Sequence, residues 1–221
     1  MFTSIIFIHE LGHFLSAKMF KWKVDKIYFY PYGGFTKFND DLNKPKKEEL
    51  IIMIMGPLFQ IIYFLLVINL LSMKDASLFR NYHYSILFFN LLPIYPLDGG
   101  KLLNIVFNYF CSFRNSFKYT ILFSYSCILF SLFVLFVNKI YISLSLLLVI
   151  LLVICKLTEE WKKERFYFNK FLLERYINDY KFSKIKVISS INQMSRDCKH
   201  VVFKKGKTST EKEELAKYFR H

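Results

Sequence analysis

The chain has 221 residues and carries 31 Lys and Arg against 17 Asp and Glu, a formal net charge of +14. Apolar residues make up 54% and aromatics 19%, with 26 Phe but only 7 Gly and 5 Pro. This excludes a disordered, collagen-like or linker-rich chain, and it exceeds the roughly 45–50% apolar content of soluble globular domains.

The first apolar stretch covers residues 1–20 and is interrupted by His9, Glu10 and His13. It has neither the basic start nor the small-residue cleavage site of a secretory signal. A lysine-rich link follows at 18–49. Within it, residues 22–38 alternate in polarity and carry Pro31, Gly33 and Gly34. That pattern predicts a hairpin around a Gly-Gly turn, aromatic enough to touch a bilayer interface. The second apolar run is 50–71, and 73–80 reads as a short loop. The third, 83–110, is broken by Pro93, Pro96, Asp98, Gly99 and Gly100. The fourth and fifth are 119–137 and 140–155. A helix rises ~1.5 Å per residue and crosses a ~30 Å hydrocarbon core in ~20 residues. About five spans are therefore expected.

The lysine-rich first link, the Arg114/Lys118 loop and the basic tail fall on one side of such a bundle. The positive-inside rule places that side in the cytoplasm. No DNA- or RNA-binding motif accompanies the charge, so no nucleic-acid partner is expected. Cys111, Cys127, Cys155 and Cys198 form no CxxC pair and read as four reduced thiols.

Residues 156–182 have helical periodicity, with Trp161, Phe168, Leu172 and Tyr176 on one face. Beyond them, 184–206 reads as strand, short helix (191–198) and strand, and 211–220 as a last helix. The expected fold class is mainly α: a polytopic transmembrane helical bundle with a small α/β C-terminal cytoplasmic appendage. The expected division is a membrane domain at 1–155, a linker helix at 156–182 and a tail at 183–221. His83, His200 and His221 are expected at solvated positions. Gly56-Pro57 is expected at a kink or close-packing point, and Gln60 in a bond to a neighbouring helix.

His9-Glu10-Leu11-Gly12-His13 is an HExxH pattern. Its i, i+4 spacing puts both imidazoles on one helix face, where both can bind one Zn²⁺. Glu10 sits beside that face, placed to take a proton from a water whose pKa zinc lowers towards ~7. Ionisable residues deep in a span cost at least ~2.5 kcal/mol each, and a divalent cation offsets that for all three. A surface helix carrying two His and a Glu is the alternative.

Asn90-Leu-Leu-Pro93-Ile-Tyr-Pro96-Leu-Asp98-Gly99-Gly100 supports the metal reading. Irregular backbone at membrane depth survives only where protein or a wet cavity covers it. Asp98 then projects into such a cavity as the third zinc ligand. Asn90 either orients substrate backbone or the oxyanion, or makes a helix–helix hydrogen bond.

HELGH in one span and NLLPIYPLDGG in a later one resemble the site-2 protease family of intramembrane zinc metalloproteases. PYGG, GPLFQ and FLLERY resemble its sporulation subgroup. The resemblance implies hydrolysis of a peptide bond within or near the membrane. It carries the zinc ligands onto His9, His13 and Asp98, with one Zn²⁺ per chain. It carries the base onto Glu10 and the auxiliary Asn onto Asn90. For the subgroup it implies a membrane-associated substrate, the precursor of a sporulation sigma factor. It also implies inhibitory membrane-protein partners and a place in the membrane around the forespore, with the site open to the cytoplasm. Homo-oligomerisation is left open. Against the family pattern, only residues 1–8 precede His9, so the first span is expected to be incomplete. The tail resembles a shortened CBS-type domain, which weighs against ATP binding. A zinc transporter and a non-catalytic metal-binding membrane protein are the alternatives. One compact site with three ligands and a spare Glu argues against both.

Overall fold

The computed structural model describes residues 1–22, 24–30, 33–38, 42–139, 143–204 and 206–220. The described residues are mainly helical, with a paired hairpin near the N-terminus and a three-stranded sheet near the C-terminus. They divide into two compact units.

The first unit comprises Met1–Asp40, Lys47–Leu92 and Leu97–Gly99. It opens with helix α1 (Phe2–Met19). Strands β1 (Val24–Tyr30) and β2 (Gly33–Phe38) pair antiparallel from Val24↔Phe38 to Tyr30↔Gly33. The expected hairpin is therefore present as a strand pair. Its turn, including Pro31, lies outside the described residues. Helix α2 (Lys46–Val67) runs on into a 3₁₀ turn at Ile68–Leu70. Helix α3 (Met73–Leu91) starts where the sequence suggested a loop. The reason is its cap: the Ser72 hydroxyl accepts a hydrogen bond from the Asp75 N–H at 3.3 Å. The break after α3 falls in the expected Pro-rich stretch, and helix α4 (Asp98–Phe110) begins at Asp98 itself. A Cβ on Gly99 would lie 2.2 Å from the Leu91 carbonyl oxygen, so only glycine lets the start of α4 turn back onto the end of α3.

The second unit comprises Asp41–Lys46, Pro93–Pro96 and Gly100–His221. Helices α5 (Phe113–Val137), α6 (Leu144–Lys162) and α7 (Glu164–Ile177) pack on one another. Helix α6 outlasts the apolar run that starts it, because neither Gly nor Pro occurs before Lys162 to stop it. Strands β3 (Ile185–Ile188), β4 (Lys199–Lys204) and β5 (Lys207–Thr210) form the sheet, parallel between β3 and β4 and antiparallel between β4 and β5. Helix α8 (Glu211–Arg220) closes over β4 and β5. Between β3 and β4 the expected short helix is a single 3₁₀ turn, Ile191–Gln193. Strand β5 was not expected. Gly206, just before it, adopts φ 76°, a positive φ that tight hairpin turns use.

Phe113, Phe168, Phe171, Leu172, Met194 and Leu215 are among the core residues of this unit, with Phe113 and Phe171 stacked at 4.3 Å. A polar network lies beside them. Arg175 donates to Asn43 Oδ1, the Ser195 and Cys198 carbonyls, and Glu211 Oε1 at 2.6–2.9 Å. His200 joins it, its Nδ1 3.2 Å from Glu211 Oε2.

The expectation that His83 and His200 are solvated is wrong. Both are buried. His200 falls on the inward face of β4, and His83 stacks on Phe64 with ring centroids 4.2 Å apart. His221 lies outside the described residues. Two described helical segments are long and apolar enough to cross a membrane: Lys46–Leu70, with mean hydropathy 2.5, and Phe113–Val137, with 2.3.

Candidate metal centre

The centre is built entirely within the first unit. His9 and His13 lie one turn apart on α1 and are buried, as is Glu10 between them in sequence. Their rings meet edge-on, centroids 4.9 Å apart. Two glycines let α2 approach this face. A Cβ on Gly12 would stand 2.4 Å from the Met55 carbonyl oxygen, and one on Gly56 would stand 2.2 Å from His13 Nε2. Gly56 is thus a close-packing point, and what packs there is the imidazole itself. A helix interior pays about 0.5–1 kcal/mol for each such glycine, which the contact offsets.

Asp98 enters from the first position of α4 and is also buried. Its Oδ2 lies 2.9 Å from His9 Nε2 and 3.1 Å from His13 Nε2, and the two Nε2 atoms are 3.2 Å apart. His13 Nδ1 donates to the Ile52 carbonyl at 2.8 Å. A carbonyl only accepts, so the His13 proton sits on Nδ1 and Nε2 presents a lone pair to the cluster. His9 Nδ1 lies 2.9 Å from Gln60 Oε1. Half-buried Asn90 reaches the same place from α3, with Nδ2 3.4 Å from His9 Nε2.

The donor set fits zinc. Two imidazole nitrogens and one carboxylate oxygen are the ligands of catalytic zinc sites that leave one position open. An ion with tetrahedral bonds of ~2.0 Å spaces its donors by about 3.3 Å. The triangle here, with sides of 3.2, 2.9 and 3.1 Å, is close to that spacing. Among the described residues, His9, His13 and Asp98 are the group of three or more potential ligand side chains drawn together in this way.

The five residues expected from the sequence are therefore placed as follows. His9, His13 and Asp98 converge, Asn90 stands at their edge, and Glu10 is buried beside His9 in the chain. Two partners were not read as parts of the site. Gln60 was expected only to bond some neighbouring helix, and the polar atom in an apolar run was its signal. The Ile52 carbonyl carried no signal, because a backbone acceptor has no residue type.

Residues 1–85 match the model of peptidase family M50. Stage IV sporulation protein FB of Bacillus subtilis is 35% identical over 90% of this chain and 74% of its own length. The chain belongs to peptidase family M50, the site-2 proteases. A zinc metalloprotease of Methanocaldococcus jannaschii is a further relative, 32% identical over 48% of this chain and 32% of its own length. The solved site-2 protease from the same archaeon superposes with a TM-score of 0.56 at 27% identity, covering 72% of this chain and 74% of that one. As a site-2 protease the chain is a metalloendopeptidase, and its helical fold is of the site-2 protease type.

Proposed function

We propose that the protein is an intramembrane zinc endopeptidase in which His9, His13 and Asp98 hold one zinc ion. The observation that carries this reading is the convergence of three donor atoms from α1 and α4 within 3.2 Å of one another. Zinc bound there would supply Lewis acidity and lower the pKa of a water in the open position. Glu10 acts as general base, accepting a proton from the attacking water and delivering it to the leaving amine nitrogen. Asn90, from the edge of the cluster, orients the substrate backbone or the developing oxyanion. The substrate is extended at the scissile bond, since a helical amide is shielded by its own hydrogen bonds.

The proposed substrate is a membrane-associated precursor of a sporulation sigma factor. Its support is the similarity to a stage IV sporulation protein over most of the chain. Inhibitory membrane proteins are the proposed regulators. The proposed location is a multi-pass position in the membrane around the forespore, with site and tail facing the cytoplasm. The two long apolar helices and the lysine-rich side of the chain support it. The proposed division is a protease domain at 1–155, a linker at 156–182 and a CBS-like tail at 183–221.

The test is co-expression with the candidate precursor. Unaltered protein is expected to cleave it, and Glu10→Gln to leave it whole. Undiminished cleavage by Glu10→Gln would remove the mechanism.

A further inference from the structure

Gln60 is fully buried on α2 and is bonded at both ends of its amide. Its Nε2 lies 2.9 Å from the His83 carbonyl oxygen on α3. A carbonyl cannot donate, so this contact fixes which end of the amide is nitrogen. The same nitrogen lies 3.4 Å from His83 Nδ1. The Phe64 stack on the His83 ring pins that turn of α3. The oxygen end is thereby left facing His9 Nδ1 at 2.9 Å. An amide oxygen only accepts, so His9 must carry its proton on Nδ1.

We infer that Gln60 is a positioning residue that selects the His9 tautomer able to bind the metal. This rests on the reading of His9, His13 and Asp98 as zinc ligands. Imidazole has one proton to place. With it on Nδ1, the Nε2 lone pair faces His13 Nε2 and Asp98 Oδ2. Two imidazole nitrogens and a carboxylate oxygen then face one another, a donor set that a cation satisfies. With the proton on Nε2, His9 would instead donate to Asp98 across 2.9 Å, and that nitrogen would have no lone pair for an ion. Gln60 disfavours that tautomer, because adopting it would place the bare Nδ1 against the amide oxygen. The chain of contacts runs from the His83 backbone through Gln60 and His9 to the centre. It makes α3 part of the metal site although α3 supplies no ligand to it. Metal-binding histidines are generally oriented by such a partner on the second ring nitrogen, and losing it typically weakens binding about 10–100-fold.

The experiment uses the full chain purified in detergent. Zn²⁺ affinity is measured by chelator competition, and the ligand field by the d–d absorption of the Co²⁺-loaded protein. Gln60→Leu and Gln60→Met remove the acceptor at similar volume, and Gln60→Glu keeps an oxygen there. Both apolar variants are expected to bind Zn²⁺ about 10–100-fold more weakly and to alter the Co²⁺ spectrum. Gln60→Glu is expected to retain most of the affinity. Metal-free unfolding midpoints are expected to be alike for all variants, so that the loss is not one of folding. Apolar variants that bind Zn²⁺ as tightly as the unaltered chain would overturn the inference and leave the metal reading intact. An unaltered chain that binds no Zn²⁺ would overturn the metal reading and the inference with it.

Discussion

Arg175 and Glu211 meet at 2.9 Å in the interior of the C-terminal unit, with the Arg175 side chain 1% exposed. Burial pushes the Glu211 carboxyl up, but hydrogen bonds from His200 and the Arg175 charge outweigh it and hold the group at about 2, against an ordinary 4.5. A depressed folded-state pKa contributes stability above the unfolded value, and that stability is lost as pH falls through the folded one. Glu211 should therefore stabilise the fold fully above about pH 4.5, by roughly 3 kcal/mol, and lose that between 4.5 and 2. Thermal unfolding of the full chain across that range should show the fall, and Glu211→Gln should flatten it.

Removing one partner of a buried ion pair leaves an uncompensated charge. Arg175→Ala is expected to cost about 3–5 kcal/mol. The loss should concentrate in the C-terminal sheet, because Arg175 also bonds the Ser195 and Cys198 carbonyls there. Hydrogen exchange of β4 amides is the measurement, with accelerated exchange expected.

Gly56 offers a sharp geometric test. The added methyl of Gly56→Ala would lie 2.2 Å from His13 Nε2, a distance no such contact sustains. The ring or the helix must move, so zinc content and peptide hydrolysis should both fall at least tenfold, in line with the ~10²-fold cost of a ~1 Å misplacement. Metal analysis beside a cleavage assay reads both.

Chelation should abolish cleavage, and added Zn²⁺ should restore it. Mg²⁺ should not, since it favours six oxygen ligands over two imidazoles. Asp98→Ala should lose hydrolysis and bind zinc more weakly, because it removes the donor within 3.1 Å of both imidazoles.

The cluster of His9, His13 and Asp98 was legible because each of its members has a chemical signature. His9 and His13 share a helix face by arithmetic, and Asp98 stands out in an apolar segment broken by Pro93 and Pro96. The helices from 50 and from 119 onward were legible from their apolar length, although α5 begins earlier, at Phe113. What sequence could not supply was direction. His83 and His200 are polar residues near polar neighbours, and only packing showed that both face inward. The contacts of Gln60 with His9 and of the Ile52 carbonyl with His13 depend on how closely α2 approaches α1, a distance that no residue type encodes. The start of α3 and strand β5 carry only short local signals, Ser72-x-x-Asp75 and Gly206, and β5 (Lys207–Thr210) has no apolar residue to give it a strand pattern.

Asp98 lies far along the chain from His9 and His13, at the start of a helix that must fold back past Leu91. A nascent chain emerging from the ribosome therefore holds two donors long before it can offer the third. On the proposed ligand set, the metal site can assemble only once translation has passed the Gly99 turn.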